Sequence, residues 1–295
     1  MGREAWVMLI VLSIVWGGSF FLAEVALRQL PPLTLVLVRV GLAAGALILF
    51  TYVSGLRLPK DIKIWRSYFI MGLLNNCIPF SLIFWGQLTI ASGLAAIFNA
   101  TTPLFTVVLA HFLTRDEKLT FPRIAGVIFG IIGVVVMIGP ELLDDLGTNV
   151  IAQLAVLVAA ISYGFAGIYG RRFASQPPVI TAAGQLSASS IILLPIVVVM
   201  EPETFLIMPD MITISAVIAL ALLSTALAYV LYFRILKVAG ATNLLLVTFL
   251  IPVSAIALGV LVLGEQIETL QIVGMAFIAL GLIAMDGRLF AWVRK

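Results

Sequence analysis

The sequence is poor in charge, cysteine and histidine, and each shortage removes a class of function. Only 11% of its 295 residues are Asp, Glu, Lys or Arg, where a soluble globular domain carries about 25%. With 62% hydrophobic residues, the composition is that of a polytopic membrane protein. The single cysteine, Cys77, excludes an intramolecular disulfide and suits packing better than nucleophilic chemistry. The single histidine, His111, excludes a His-rich metal site. The sequence has no H-E-x-x-H, no glycine-rich phosphate loop and no paired acids in an apolar run. A membrane-embedded enzyme therefore lacks its usual groups, and neither metal nor cofactor is expected. A net charge of +3 without a basic block fits basic cytoplasmic loops and excludes a nucleic-acid partner.

Apolar stretches are what the chain has in abundance. A spanning helix needs about 20 mostly apolar residues, and ten segments qualify: 6–27, 32–53, 67–88, 92–113, 122–139, 150–171, 178–200, 211–235, 241–263 and 269–286. The first exceeds a signal-peptide core and lacks an A-x-A cleavage site, so it is expected to be a retained helix. Ten spans with a cytoplasmic N-terminus place 15 of the 17 Lys and Arg residues in cytoplasmic segments. Arg28 is left outside and Arg39 within the membrane. That bias predicts both termini inside, in a bacterial inner membrane. Glu141, Asp144, Asp145, Glu201, Glu203, Asp210, Glu265 and Glu268 fall on the outer side.

The two halves resemble each other. "VWGGSF" at Trp16 answers "SYGFAG" at Tyr163, and "LPPLTLVLVR" at 30–39 answers "QPPVITAAGQ" at 176–185. Later in each half Pro103 stands opposite Pro252, Glu117 opposite Glu265, Gly126 opposite Gly274 and Gly133 opposite Gly281. Five spans per half is an odd number, so the halves, 1–140 and 150–288, must be inserted in opposite senses. The expected fold is all-α, two inverted five-helix repeats around a central cavity, as in many secondary transporters.

These blocks, "WGGSFFLAE…LRQLPPLTLVLVR", "P-x13-E-K-L-T…G" and "P-x12-E-Q-I-E…G", resemble the two domains of the drug/metabolite transporter superfamily, in its ten-helix EamA-type branch. The resemblance spans nearly the whole chain. It implies a cavity shared by both halves and export of amino acids or other small metabolites, as in bacterial aromatic and neutral amino-acid exporters. One departure is that Arg39, at the family's second-helix arginine position, faces neutral Gln185 in the other repeat.

Arg39 is the first candidate, since an ionisable residue within a span is costly unless paired or wetted. It lies about seven residues, roughly 10 Å, below the outer end of its helix. Glu24 is one turn below the same surface, so a Glu24–Arg39 ion pair is one reading and a substrate carboxylate at Arg39 another. Trp16, Gly17 and Ser19, matched by Ser162, Tyr163 and Gly164, are expected to line a cavity for an apolar or aromatic side chain. Asn75, Asn76, Asn99 and Thr102, with Thr248 across the repeat, are polar residues within spans. Pro103 and Pro252 free the carbonyls of Asn99 and Thr248 and make matched kinks. Trp85, Gln185, Tyr229, Ser224 and Thr225 are weaker candidates of the same kind. Gly41 with Gly45, and Gly126 with Gly130, give G-x-x-x-G spacings that fit internal packing and do not establish a dimer. A monomer in the bilayer with a small-molecule substrate is expected. Export of cationic or lipophilic drugs is the alternative and requires an unpaired carboxylate in the cavity. A channel would require a polar ring along a continuous path, which these spans lack. Glu24 is the one acid placed to couple transport to protons, so the expectation is an uncoupled or weakly proton-linked exporter.

Overall fold

A computed structural model describes residues 3–115, 117–138, 148–206, 208–239 and 247–286. Among them there are helices and no strands. In hydrocarbon a chain must satisfy its own backbone groups, and a helix does so within one segment. The helices are α1 (Arg3–Leu27), α2 (Pro32–Val53), α3 (Ile62–Gln87), α4 (Ser92–Leu113) and α5 (Phe121–Ile138). The second half supplies α6 (Thr148–Gly170), α7 (Pro178–Met200), α8 (211–239), α9 (247–263) and α10 (Thr269–Asp286). Among the described residues eight stretches are long and apolar enough to cross a membrane; within α9 and α10 the apolar helices are shorter, Leu250–Leu263 and Thr269–Ala284. Glu141, Asp144 and Asp145, the start of the expected ninth span, and Arg288, Arg294 and Lys295 lie outside the described residues.

The helices depart from the sequence reading in several places. α3 begins at Ile62 rather than 67, because the Asp61 side chain caps it by accepting from Lys63 N at 2.8 Å and draws the basic segment into the helix. α8 continues to 239 rather than 235. α4 is broken at Ala100–Thr101. There Pro103 cannot donate, and the Thr101 and Thr102 hydroxyls donate to the Phe98 and Asn99 carbonyls at 2.6 and 2.7 Å, which replaces the lost ladder bonds.

Two helices widen into a π turn at the same depth. Leu73–Cys77 begins at the twelfth residue of α3 and Leu222–Leu227 at the twelfth of α8. Such turns leave carbonyls open, and side chains take them: Ser162 Oγ donates to Leu74 O at 2.7 Å, and Thr225 Oγ1 to Leu220 O at 3.0 Å. Ser224 Oγ reaches across to Val15 O of α1 at 2.9 Å.

α5 and α10 pack along their lengths through glycines. A Cβ on Gly133 would stand 2.6 Å from Gly274 O, and one on Gly281 would stand 2.5 Å from Gly126 O. Only residues without a side chain allow that approach. The glycine spacing therefore serves internal packing in α5.

One end of the bundle is tied by carboxylates placed on helix starts. Glu201, after α7, accepts from Leu33 N, Thr34 N and Thr34 Oγ1 at 3.2, 2.7 and 2.7 Å. Glu265, after α9, accepts from Ser92 N and Gly93 N at 2.8 and 3.1 Å. Each anion sits where the first N–H groups of α2 or α4 have no helical partner. Gln29 and Asp210 add a mutual pair of bonds at 2.8 and 2.9 Å. At the opposite end Arg171 pairs with Glu117, and Arg234 with Glu4 at 2.8 Å.

Candidate transport cavity

Between the halves lies a cavity of about 700 Å³. It runs from Arg39 to the junction of α6 and α7, where exposed Arg171, Ala174 and Pro178 form its mouth. That mouth is at the end opposite the Glu201 and Glu265 caps.

Arg39 is 5% exposed, on α2. Its Nε donates to Thr225 Oγ1 at 3.0 Å, and its guanidinium lies 3.8 Å from the centre of the Phe80 ring and 5.7 Å from that of Phe84. The π turn of α8 supplies Thr225. Phe80 and Phe84, one turn apart on α3, supply the aromatic shelf. The ring faces attract the cation, but by less than a full ion pair would.

The expected Glu24–Arg39 pair is not formed. Glu24 is engaged instead by Gln87, whose Nε2 reaches Glu24 Oε2 at 3.5 Å and Phe20 O at 2.9 Å. Adjacent helices do not ensure facing side chains: the two residues leave their helices toward different neighbours. Among the described residues Arg39 has no carboxylate partner, and no carboxylate lines the cavity.

Nine of the residues singled out as substrate-binding border the cavity: Trp16, Ser19, Arg39, Asn75, Asn99, Tyr163, Gln185, Tyr229 and Thr248. Tyr229 OH accepts from Asn75 Nδ2 and from Gln185 Nε2, both at 3.0 Å, and Asn75 Nδ2 also reaches Gln185 Oε1 at 3.4 Å. Asn75 sits in the π turn of α3, which rotates it toward α7 and α8. Asn99, just before the break in α4, has its Oδ1 buried with no partner among the described residues. Trp16 and Tyr232 stand with ring centres 5.9 Å apart, and Phe80 meets Tyr163 edge-on at 6.5 Å.

Two residues belong elsewhere. Trp85 is 45% exposed and away from the cavity; it is one residue past the Phe80–Phe84 row, which turns it about 100° off that face. Gly17 is buried against α9, where a Cβ would stand 2.8 Å from Ile251 O and 2.9 Å from Ala255 N. It permits helix contact and leaves the wall to Trp16 and Ser19. Pro103 sits at the start of the second segment of α4 and Pro252 inside α9; neither borders the cavity. Asn76 is also turned away and donates to Ser189 Oγ at 2.9 Å.

The sequence reading missed Phe80, Phe84, Tyr232 and Met71 in the wall. The first two carried a usable signal, since a spacing of four residues puts both rings on one face of the helix.

The model of the EamA-like transporter family matches residues 4–139 and again 150–285. The chain is 28% identical over 278 residues to "Uncharacterized transporter YoaV" of Bacillus subtilis, covering 93% of this chain and 94% of that one. It is 27% identical over 298 residues to a "Probable amino-acid metabolite efflux pump" of Escherichia coli, covering 96% and 94%. A crystal structure superposes with a TM-score of 0.69 at 21% identity, covering 97% of this chain and 98% of that one, which shows a shared fold.

Proposed function

The chain belongs to the EamA-like transporter family and is a multi-pass membrane transporter, and from that premise we propose that it exports aromatic or neutral amino acids or related small metabolites by alternating access. The observation that carries this reading is Arg39: a buried cation with no carboxylate of the described residues beside it, on the wall of an aromatic-lined cavity of about 700 Å³. A substrate carboxylate completes that site, and Trp16, Phe80 and Tyr163 offer flat apolar surface for a ring. The efflux-pump relative agrees with the solute class.

We read residues 1–140 and 150–288 as inverted repeats of five spans each. The paired family match, the π turns at equal depth in α3 and α8, and the glycine contacts of α5 and α10 support this. The loop charges favour cytoplasmic termini in a bacterial inner membrane. In that orientation the cavity opens to the cytoplasm, and the Glu201 and Glu265 caps close its outer end. The cationic-drug alternative needs an acid in the wall, and Glu24, its one candidate, is held by Gln87 outside the lining.

The test is counterflow of labelled phenylalanine in proteoliposomes preloaded with a panel of amino acids. Trp16→Ala should reduce counterflow at least fivefold, while Trp85→Ala should leave it unchanged. Equal effects of both, or no counterflow with any amino acid, would refute the reading.

A further inference from the structure

The charges around the cavity are unbalanced in a way that bears on which half of an amino acid is recognised. Two cationic side chains border it, Arg39 and Arg171, and among the described residues no acid does. Arg171, at the mouth, has Glu117 as its partner, so the uncompensated charge is at Arg39, in the closed end. For an ammonium group the wall offers neutral acceptors but, among the described residues, no opposite charge. Four carboxamides line the wall, Asn75, Asn99, Gln176 and Gln185; Gln185 Oε1 already receives Asn75 Nδ2, Gln176 Oε1 receives the Tyr68 hydroxyl, and Asn99 Oδ1, buried and without a partner among the described residues, is a neutral acceptor. An ammonium brings three donors, and it also brings a second positive charge into the low-dielectric space that holds Arg39. Like charges about 6 Å apart in such surroundings disfavour binding by on the order of tenfold to a hundredfold.

We propose that the cavity is a site for organic carboxylates with a flat apolar body, in which Arg39 takes the carboxylate and an amino group adds a positive charge that no acid of the described residues offsets. Net-anionic aromatic and branched carboxylates, including deaminated or N-acylated relatives of amino acids, are then the preferred cargo, zwitterions are weaker, and amines lacking a carboxylate are refused. The ring lies among Trp16, Phe80, Tyr163 and Tyr229, and Arg39, held by Thr225 and Phe80, fixes the other end. This rests on the export reading above and narrows its substrate class.

Three probes that share one ring separate the contributions: phenylalanine, 3-phenylpropanoate and 2-phenylethylamine. Each is titrated calorimetrically into the full-length wild-type protein in detergent micelles at neutral pH. The expected order is 3-phenylpropanoate about tenfold tighter than phenylalanine, with no heat from 2-phenylethylamine. In Arg39→Gln the advantage of the acid disappears, and Arg39→Lys recovers part of it, since a point charge remains without the forked donors. The wild-type ranking decides even where a variant does not fold. Phenylalanine binding tighter than 3-phenylpropanoate overturns this proposal and leaves amino-acid export standing. Binding of 2-phenylethylamine with neither acid overturns both, as does an absence of binding by all three with no counterflow of any amino acid.

Discussion

Replacing Arg39 by methionine should separate folding from transport. The guanidinium is 5% exposed, with one side-chain hydrogen bond to Thr225 and ring contacts to Phe80 and Phe84. A hydrogen bond from a charged group contributes about 1.5–3 kcal/mol, and a desolvated cation–π contact about 2 kcal/mol. Against these stands the cost of burying the cation, several kcal/mol after relaxation, which no carboxylate of the described residues offsets. The terms nearly cancel. Methionine has a similar length, no desolvation cost and a sulfur that packs well against aromatic rings. Arg39→Met should therefore unfold within about 1 kcal/mol of wild type in denaturant titrations followed by tryptophan fluorescence, while phenylalanine counterflow falls to the level of empty liposomes. A structural ion pair behaves differently: removing one partner of a buried pair costs about 3–5 kcal/mol. A loss of that size, with transport retained in the remaining folded protein, would show that Arg39 has a standing acidic partner and that the cavity argument is wrong.

Three further outcomes follow from contacts at the helix ends and crossings. Glu201→Gln keeps the shape of the α2 cap but removes its charge; the loss of one charge-assisted bond, about 1–2 kcal/mol, should raise labelling of a cysteine placed at Ser19 by an impermeant reagent from the outer face at least fivefold in a Cys77→Ser background, and unchanged labelling would mean that the cap does not close the cavity. Gly281→Leu forces a side chain onto Gly126 O and Gly130 N and should destabilise by about 1–3 kcal/mol, whereas the same change at Gly45, where added atoms meet open space, should not. The Asp210 carboxylate is held below its ordinary value by the Thr213 backbone N–H first and by Gln29. Its contribution to stability is thus present above the unfolded value near 3.9 and disappears as pH falls through the lower folded value. The difference between wild type and Asp210→Asn, which can still cap α8, should be flat at neutral pH and change only below about pH 4; a difference that grows toward pH 7 would contradict the assignment.

Helix positions were largely legible because apolar length and loop charge report on the same constraint. Much of the polar part of the cavity lining was legible too, since polar and large flat residues within apolar helices have few uses. What escaped was direction. Nothing in "LLNNC" or "LLSTAL" announces a π turn, yet those turns aim Asn75 at Tyr229 and Thr225 at Arg39. Trp85, next to Phe84 in the sequence, points elsewhere. The Glu24–Arg39 pair was inferred from proximity along two helices, and Gln87 and Thr225, distant in sequence, took the two charges apart. Side-chain partners of that kind depend on rotations of a few tens of degrees that hydropathy cannot carry.

The glycine crossing of α5 and α10 has a consequence for assembly. By sequence correspondence Gly126 matches Gly274 and Gly133 matches Gly281, yet in space Gly133 meets Gly274 and Gly281 meets Gly126. Each residue touches the counterpart of its partner's equivalent, the reciprocal pattern of an isologous dimer. On the repeat reading proposed above, one five-helix polypeptide could close this seam with a second copy of itself. Separately expressed halves should, for the same reason, find each other along α5 and α10.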